Sequence, residues 1–202
     1  MSKNNILPFK NELFRKIVHL LSSFFPALYF CIQKKQIIPI LVLANIVIFV
    51  IESNRLQKNY IGRFFNKYIS FMIRPYEKNR FMNATYLCVS YLLIVLFFNK
   101  NIAIYSLLLL SISDSCAAII GIKYGRIKII NSKTLEGTFA FIVSGIILIS
   151  IISITKDYMI DYRTLYLGVI FSSIIELLTP SRYDNITVPF SYAFFLMLFL
   201  KI

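Results

Sequence analysis

Apolar positions in this chain come in long blocks, not in alternation. Seven runs, at 17–32, 36–51, 83–98, 102–121, 138–155, 165–178 and 186–200, carry almost no charge. Each approaches or reaches the length of about 17–25 helical residues that spans a hydrocarbon core. Lipid offers no partner to a bare amide or carbonyl, so such runs are expected as helices. The pattern predicts an all-α membrane protein with about seven transmembrane helices, forming a single polytopic membrane domain over residues 1–202. No internal repeat, low-complexity tract or soluble-domain linker interrupts it.

The stretch 60–74 differs. Ile61, Phe64, Phe65, Tyr68, Ile69 and Met72 recur at helical spacing, and Arg63, Lys67 and Arg74 fall between them. This is an amphipathic helix, with two readings open: one lying flat at the membrane surface, or one packed on the bundle.

Composition agrees with the blocks. Hydrophobic residues make up 58% of the chain and charged residues 15%, against roughly 25% charged in soluble domains. The net charge of +13 raises the question of nucleic acid, but no recognised fold or basic-aromatic stripe accompanies it. Its placement explains it better. With seven spans, 16 of the 22 Lys and Arg fall on the side that holds the N-terminus, which puts that side in the cytoplasm. The first residues are too long and polar for a signal peptide, so the first run is expected to stay as an anchor. Cys31, Cys88 and Cys116 lie in apolar runs without C-x-x-C spacing and read as small core residues.

Ionisable residues inside apolar runs are costly and point to a functional site. Here their depth is shared. Arg15 and His19 open the first run, and Glu52 and Arg55 close the second. Asp114 sits in the last third of the fourth. Lys133 and Glu136 lead into the fifth, while Glu176, Asp184 and Asn185 lie at or beyond the end of the sixth. All belong to the cytoplasmic side, where one pocket can collect them. Simpler readings stand beside this one: His19 as an interfacial residue, Arg55, Arg74 and Arg80 as positive-inside anchors, Glu52 and Glu77 as their partners.

Asp114 is harder to reduce. It lies roughly 10 Å inside a span at about 1.5 Å per residue, and needs a partner, a metal or water. Asp114, Ala118, Gly121 and Gly125 share a narrow helical sector, which serves either close helix packing or backbone approach to a ligand. Beyond it come Gly125-Arg126-Ile127-Lys128 and Asn131-Ser132-Lys133-Thr134-Leu135-Glu136-Gly137-Thr138. Carboxylates, cations and a glycine-bearing turn are the inventory of phosphoryl transfer, in which positioning and charge stabilisation do most of the catalysis. No G-x-x-x-x-G-K-[ST] loop or protein-kinase signature is present, so a nucleotide site here is of another design.

In order, Arg15-Lys16-Ile17-Val18-His19, Glu52-Ser53-Asn54-Arg55, Arg74-x-x-Glu77 with Asn83-Ala84-Thr85-Tyr86, and Ser113-Asp114-Ser115-Cys116-Ala117-Ala118 resemble motifs of the membrane-embedded polyprenol kinase family. So do Gly121, Tyr124-Gly125-Arg126, Lys133-Thr134-Leu135-Glu136-Gly137-Thr138, and Glu176 followed by Asp184-Asn185-Ile186-Thr187-Val188-Pro189. That family includes dolichol kinase, phytol kinase and CTP-dependent diacylglycerol kinase. Ser113 departs from it, standing where many relatives have Gly.

The resemblance implies transfer of a γ-phosphate, with CTP as the expected donor and Mg2+ as cofactor, to the hydroxyl of a lipid alcohol. Diacylglycerol is favoured over phytol or dolichol by the Arg74-x-x-Glu77 and Asn-Ala-Thr-Tyr stretch. It implies catalytic roles for Asp114, Lys133, Glu136 and Asp184, with Asp114 and Glu136 as metal ligands. His19, Arg74, Gly121, Gly125, Arg126, Lys128, Thr134, Gly137 and Asn185 would line the nucleotide site. The expected location is a bacterial inner membrane, or the endoplasmic reticulum in a eukaryote, with the site facing the cytoplasm. Two other activities stay open: nucleotidyl transfer like that of phosphatidate cytidylyltransferases, whose K-D and P-G-H-G-G elements are absent here, and transport of an anionic solute.

Overall fold

The computed structural model of the chain describes residues 7–130, 133–154 and 161–200. Asn131, Ser132 and Thr155, which the sequence reading placed in the basic turn and the fifth run, lie outside them. The described residues are mostly helical, with no strand among them and one isolated bridge, between Lys128 and Thr134.

The first apolar run is a broken helix. α1 (Phe9–Leu21) starts well before the run and ends at Ser22 and Ser23, and α2 (Phe24–Cys31) continues from there. Pro26 lacks an amide hydrogen, and its ring crowds the carbonyl four residues earlier, which favours a break at this point. The Ser22 hydroxyl donates to the His19 carbonyl at 2.5 Å and closes the end of α1. α3 (Lys34–Leu56) and α5 (Asn83–Phe97) follow the second and third runs.

α6 (Lys100–Leu109), a π-helical turn at Leu110–Asp114 and α7 (Ser115–Tyr124) form one continuous rod. Its middle, from Ile102 to Ser111, is buried on every side, as expected for a helix apolar all round. α8 (Leu135–Ile154), α9 (Tyr162–Leu178) and α10 (Asp184–Phe199) complete the chain. Three helical stretches, Lys34–Leu56, Lys100–Tyr124 and Leu135–Ile152, are long and apolar enough to cross a membrane, and Asn83–Phe97 and Asp184–Phe199 are shorter apolar helices.

Neighbours in space are mostly neighbours in sequence. α7 packs on α8, α8 on α9, and α9 on α10, and α10 returns to α5 and α6, while α3 lies on α5 and α1 on α7. α4 (Tyr60–Ile69) rests on α3. Gly62 makes this possible: a Cβ there would lie 2.1 Å from the Asn54 carbonyl oxygen. The amphipathic stretch thus divides its apolar residues between two faces. Phe65 and Ile69 turn partly inward with Gly62, whereas Ile61, Phe64 and Tyr68 stay exposed.

The loop after α4 is held by charge. Arg55 donates to both Glu52 carboxylate oxygens at 2.9 Å, to the Glu77 and Lys78 carbonyls at 3.2 Å, and to the Arg80 carbonyl at 2.5 Å. Glu52 also accepts the Met82 amide at 3.0 Å. Both side chains are buried, so removing one leaves the other charge without compensation, a loss of about 3–5 kcal/mol. Arg55→Ala is therefore expected to unfold at markedly lower temperature in detergent. An unchanged melting curve would show that the pair does not hold the loop.

Candidate active site

Asp114, at the end of the π turn, is buried beside Glu176 near the end of α9 and Asp184 at the start of α10. Each of the three offers a carboxylate oxygen within 4.8 Å of the others. Like charges this close repel unless cations answer them. Two lysines do so. Lys133, just ahead of α8, reaches Glu176 Oε1 at 2.7 Å and the Asp184 oxygens at 2.9 and 3.0 Å, and also donates to the Glu176 carbonyl. Lys16 of α1 meets Asp114 Oδ2 at 2.5 Å. Burial opposes the charge on Lys133, but the Asp184 and Glu176 carboxylates outweigh it and hold its pKa above the usual lysine value.

His19 stands one helical turn beyond Lys16. Its Nδ1 lies 3.1 Å from Ser115 Oγ and 3.9 Å from Asp114 Oδ2, and its Nε2 lies 3.2 Å from Asn185 Oδ1. Asn185 donates in turn to the Asn83 carbonyl at 2.8 Å. The Asn83 amide donates to Glu77 at 3.0 Å, and its side chain to the Ser181 carbonyl at 3.0 Å. This path of hydrogen bonds ties α1, α5, α7 and α10 together at one end of the bundle. His19 is a buried member of that path.

Other expected site residues sit elsewhere. The Glu136 carboxylate is turned to the preceding loop, where it accepts the Arg126 amide at 2.9 Å and the Ile127 amide at 3.2 Å. Arg126 and Lys128 are exposed on that loop. Gly121, Gly125 and Gly137 bring α7 and α8 together. A Cβ on Gly121 would come 3.0 Å from Thr134 Oγ1, one on Gly125 2.5 Å from Thr134 Cγ2, and one on Gly137 2.9 Å from the Ala117 carbonyl oxygen. Small residues here serve close helix contact. Thr134 accepts the Gly137 amide at 3.2 Å and so caps the first turn of α8.

Arg74 is committed to Glu12, with Nε to Oε1 at 2.7 Å and Nη2 to Oε2 at 3.0 Å. Arg15 bridges from the same helix to Glu77 at 2.9 Å. Burial raises the Glu12 pKa, but Arg74 and Arg15 outweigh it and hold the carboxyl below its ordinary value of 4.5. The stabilisation from this group is therefore complete above pH 4.5 and is lost as the pH falls through the lower value of the folded state. Glu12→Gln is expected to flatten the acid limb of a plot of melting temperature against pH. Parallel limbs for both proteins would contradict the pairing.

Two residues of the cluster, Glu176 and Lys16, carry no specific catalytic or binding role on sequence grounds. Glu176 was visible as a carboxylate within an apolar run, and Lys16 as a cation one turn before His19. What was missing was their partners, which lie far along the chain.

The fold and cluster define a helical, membrane-type protein with a carboxylate–lysine centre at one end of its bundle. The chain is 30% identical over 193 residues to an uncharacterized protein of Rickettsia prowazekii (strain Madrid E), covering 91% of this chain and 92% of that one. It is 28% identical over 142 residues to CTP-dependent diacylglycerol kinase 1 of Saccharomyces cerevisiae, and 30% identical over 141 residues to CTP-dependent diacylglycerol kinase 1 of Schizosaccharomyces pombe. Each of these matches covers 68% of this chain, and they span 49% and 65% of the two yeast proteins. No protein-family model and no solved structure matches the chain. Through the two yeast enzymes the chain is similar to a polyprenol and diacylglycerol kinase-like family, and it spans about half to two thirds of their length.

Proposed function

We propose that this protein transfers the γ-phosphate of CTP to the hydroxyl of diacylglycerol or a related membrane lipid alcohol, at the cytoplasmic face of a seven-span bundle. The observation that carries this reading is the cluster of Asp114, Glu176 and Asp184, with Lys133 and Lys16 set against it. Three carboxylates against two lysines leave an excess of negative charge, and every candidate ligand is a hard oxygen. That donor set fits Mg2+, which Asp114, Glu176 and Asp184 would hold. Bound there, the ion would neutralise phosphate charge and lower the pKa of a coordinated hydroxyl.

The chain's own groups have separable tasks. Lys133 and Lys16 are placed to move from carboxylate to phosphate oxygen when nucleotide arrives, since both already carry a flexible ammonium into the cluster. Exposed Arg126 and Lys128 extend the positive surface towards solvent, and the capped start of α8 adds amide dipoles favourable to an anion. Asp114 accepts the proton of the lipid hydroxyl. The hydroxyl oxygen then forms its bond to the γ-phosphorus as the bond to the β–γ bridging oxygen breaks, and CDP leaves with the electron pair. Asn185 and His19 keep the Asp114 side of the site in register.

The test is a donor-by-acceptor screen on purified protein in mixed micelles, with products identified by mass spectrometry. Phosphatidate formed from CTP and diacylglycerol is the expected result. A CDP-linked lipid would replace the reading with nucleotidyl transfer. Absence of any phospholipid product with every donor and acceptor would overturn it.

A further inference from the structure

Helix α4 carries two apolar faces, and only one of them has a partner. At about 100° per residue, Gly62, Phe65 and Ile69 share one sector, turned towards α3. Tyr60, Ile61, Phe64 and Tyr68 share a second sector, and each is more than half exposed. Arg63 and Lys67 run along the edge of this second face, one helical turn apart, and both are exposed. Neither forms an ion pair among the described residues. Like charges at this spacing weaken a helix unless an anion answers them.

The fold holds the second face outward. Lys58, at a φ of 57°, turns the chain after α3, and the Asn59 amide donates to the Asn54 carbonyl at 3.2 Å. Gly62 then meets Asn54, whereas Val47, Phe49 and Val50, a turn or more before it, stay exposed. Helix α4 therefore crosses α3 at its end and does not run down its side. The segment that follows reaches α1, where Phe71 meets Phe14 edge-on with ring centres 5.8 Å apart, and Arg15 donates to the Met72 carbonyl at 3.2 Å. With both ends fixed, the outer face cannot turn in to the bundle.

This placement sets the depth. α3 is long and apolar enough to cross a membrane, so a helix laid across its end lies at the level of the headgroups. Tyr60 and Tyr68 suit that level, since a tyrosine ring rests among acyl chains while its hydroxyl stays in water. Exposed Phe14 and Phe71 extend the apolar surface towards α1. A soluble anion would answer Arg63 and Lys67 but leave the aromatic face in water. A zwitterionic surface would cover the aromatic face but leave the two cations without a net counter-charge. An anionic lipid satisfies both.

We propose that α4 is an interfacial anchor that seats Tyr60, Phe64 and Tyr68 just below the headgroups and gathers anionic phospholipids with Arg63 and Lys67. The anchor requires only that the chain is embedded in a membrane, so it stands or falls separately from the kinase reading.

The chain contains no tryptophan, so Tyr68→Trp gives a single fluorophore on the outer face. The full-length variant is reconstituted in bilayers that mix phosphatidylcholine and phosphatidylglycerol in equal amounts, with bromine carried on the acyl chains of one lipid or the other. Blue-shifted emission is expected, quenched at least about twofold more when phosphatidylglycerol carries the bromine, because each basic residue near a surface favours anionic lipid. High salt should reduce that preference by screening. Arg63→Gln with Lys67→Gln, made in the same background, should abolish the preference and keep the quenching by phosphatidylcholine, which shows that the helix still lies in the interface. Equal quenching by the two lipids, or a preference that survives the double substitution, would overturn the assignment of the cations. Water-like emission that neither lipid quenches would overturn the anchor itself. Blue-shifted emission that neither lipid quenches would also overturn it, since protein, such as a second copy of this chain, would then cover the face.

Discussion

Asp114→Asn is expected to lower the rate of lipid phosphorylation by about two to four orders of magnitude, the range assigned to a positioned proton acceptor. The substitution keeps the size of the side chain and removes its charge and basicity. Asp114 is 2% exposed, and the neighbouring Glu176 and Asp184 carboxylates are already engaged by Lys133. The change falls on kcat more than on the KM for lipid, because it removes basicity at the reacting centre while conserving the volume of the side chain. Lys16 loses its partner but keeps partial exposure at 15% of its side-chain surface, so its ammonium can turn to water and the fold survives. Initial rates measured beside melting curves make the comparison: a stable, inactive variant is the expected pair. A stable variant with full activity removes Asp114 from the chemistry.

Lys133→Met is expected to act mainly on stability. The lysine contacts both Glu176 and Asp184 within 3.0 Å, and all three side chains are less than a tenth exposed. Methionine conserves the apolar stem and deletes the only cation that touches both carboxylates among the described residues. Breaking a buried pair in this way costs about 3–5 kcal/mol, chiefly from the charge left behind. A divalent cation can restore the missing charge, so added Mg2+ should raise the melting temperature of the variant more than that of the wild type. A variant as stable as the wild type, and equally indifferent to Mg2+, contradicts the arrangement. Phosphorylation activity in the variant is expected to remain low even where Mg2+ restores stability, since the metal does not replace the ammonium that meets phosphate.

Much of the fold was readable because the helices announce themselves by length and apolarity. Each of the seven runs has a helix at its place, with ends displaced by a few residues where polar side chains extend the helix beyond the apolar core, as α3 does through Glu52 and Arg55. The π turn at Leu110–Asp114 was not readable, and the bend at Ser22 and Ser23 is marked in the sequence by Pro26 alone. A uniform advance of about 100° per residue contains neither, and the π turn shifts the face on which Asp114 projects. Residues 60–74 fell between their two readings, because the apolar stripe is wide enough to cover the bundle on one edge and remain exposed on the other.

The site was legible as an inventory but not as a set of pairs. Glu136 stood beside Lys133 in sequence and shared its motif, yet the first turn of α8 points its carboxylate back to the Arg126 and Ile127 amides. Lys133 instead meets residues 43 and 51 positions away. Arg74 carried the charge expected of a phosphate ligand and is held by Glu12.

By itself the chain's order of residues determined which segments are helices and that most of its ionisable groups gather towards one end of them. It did so because burying a charge or a bare amide in an apolar medium is too costly for any other arrangement. Only the tertiary structure decided that Glu176 and Asp184 join Asp114, and that two lysines divide the three carboxylates between them. Helices apolar on all sides carry no periodic mark of their neighbours, so rotation and adjacency are settled by packing, through contacts such as Gly121 against Thr134 and Gly137 against Ala117.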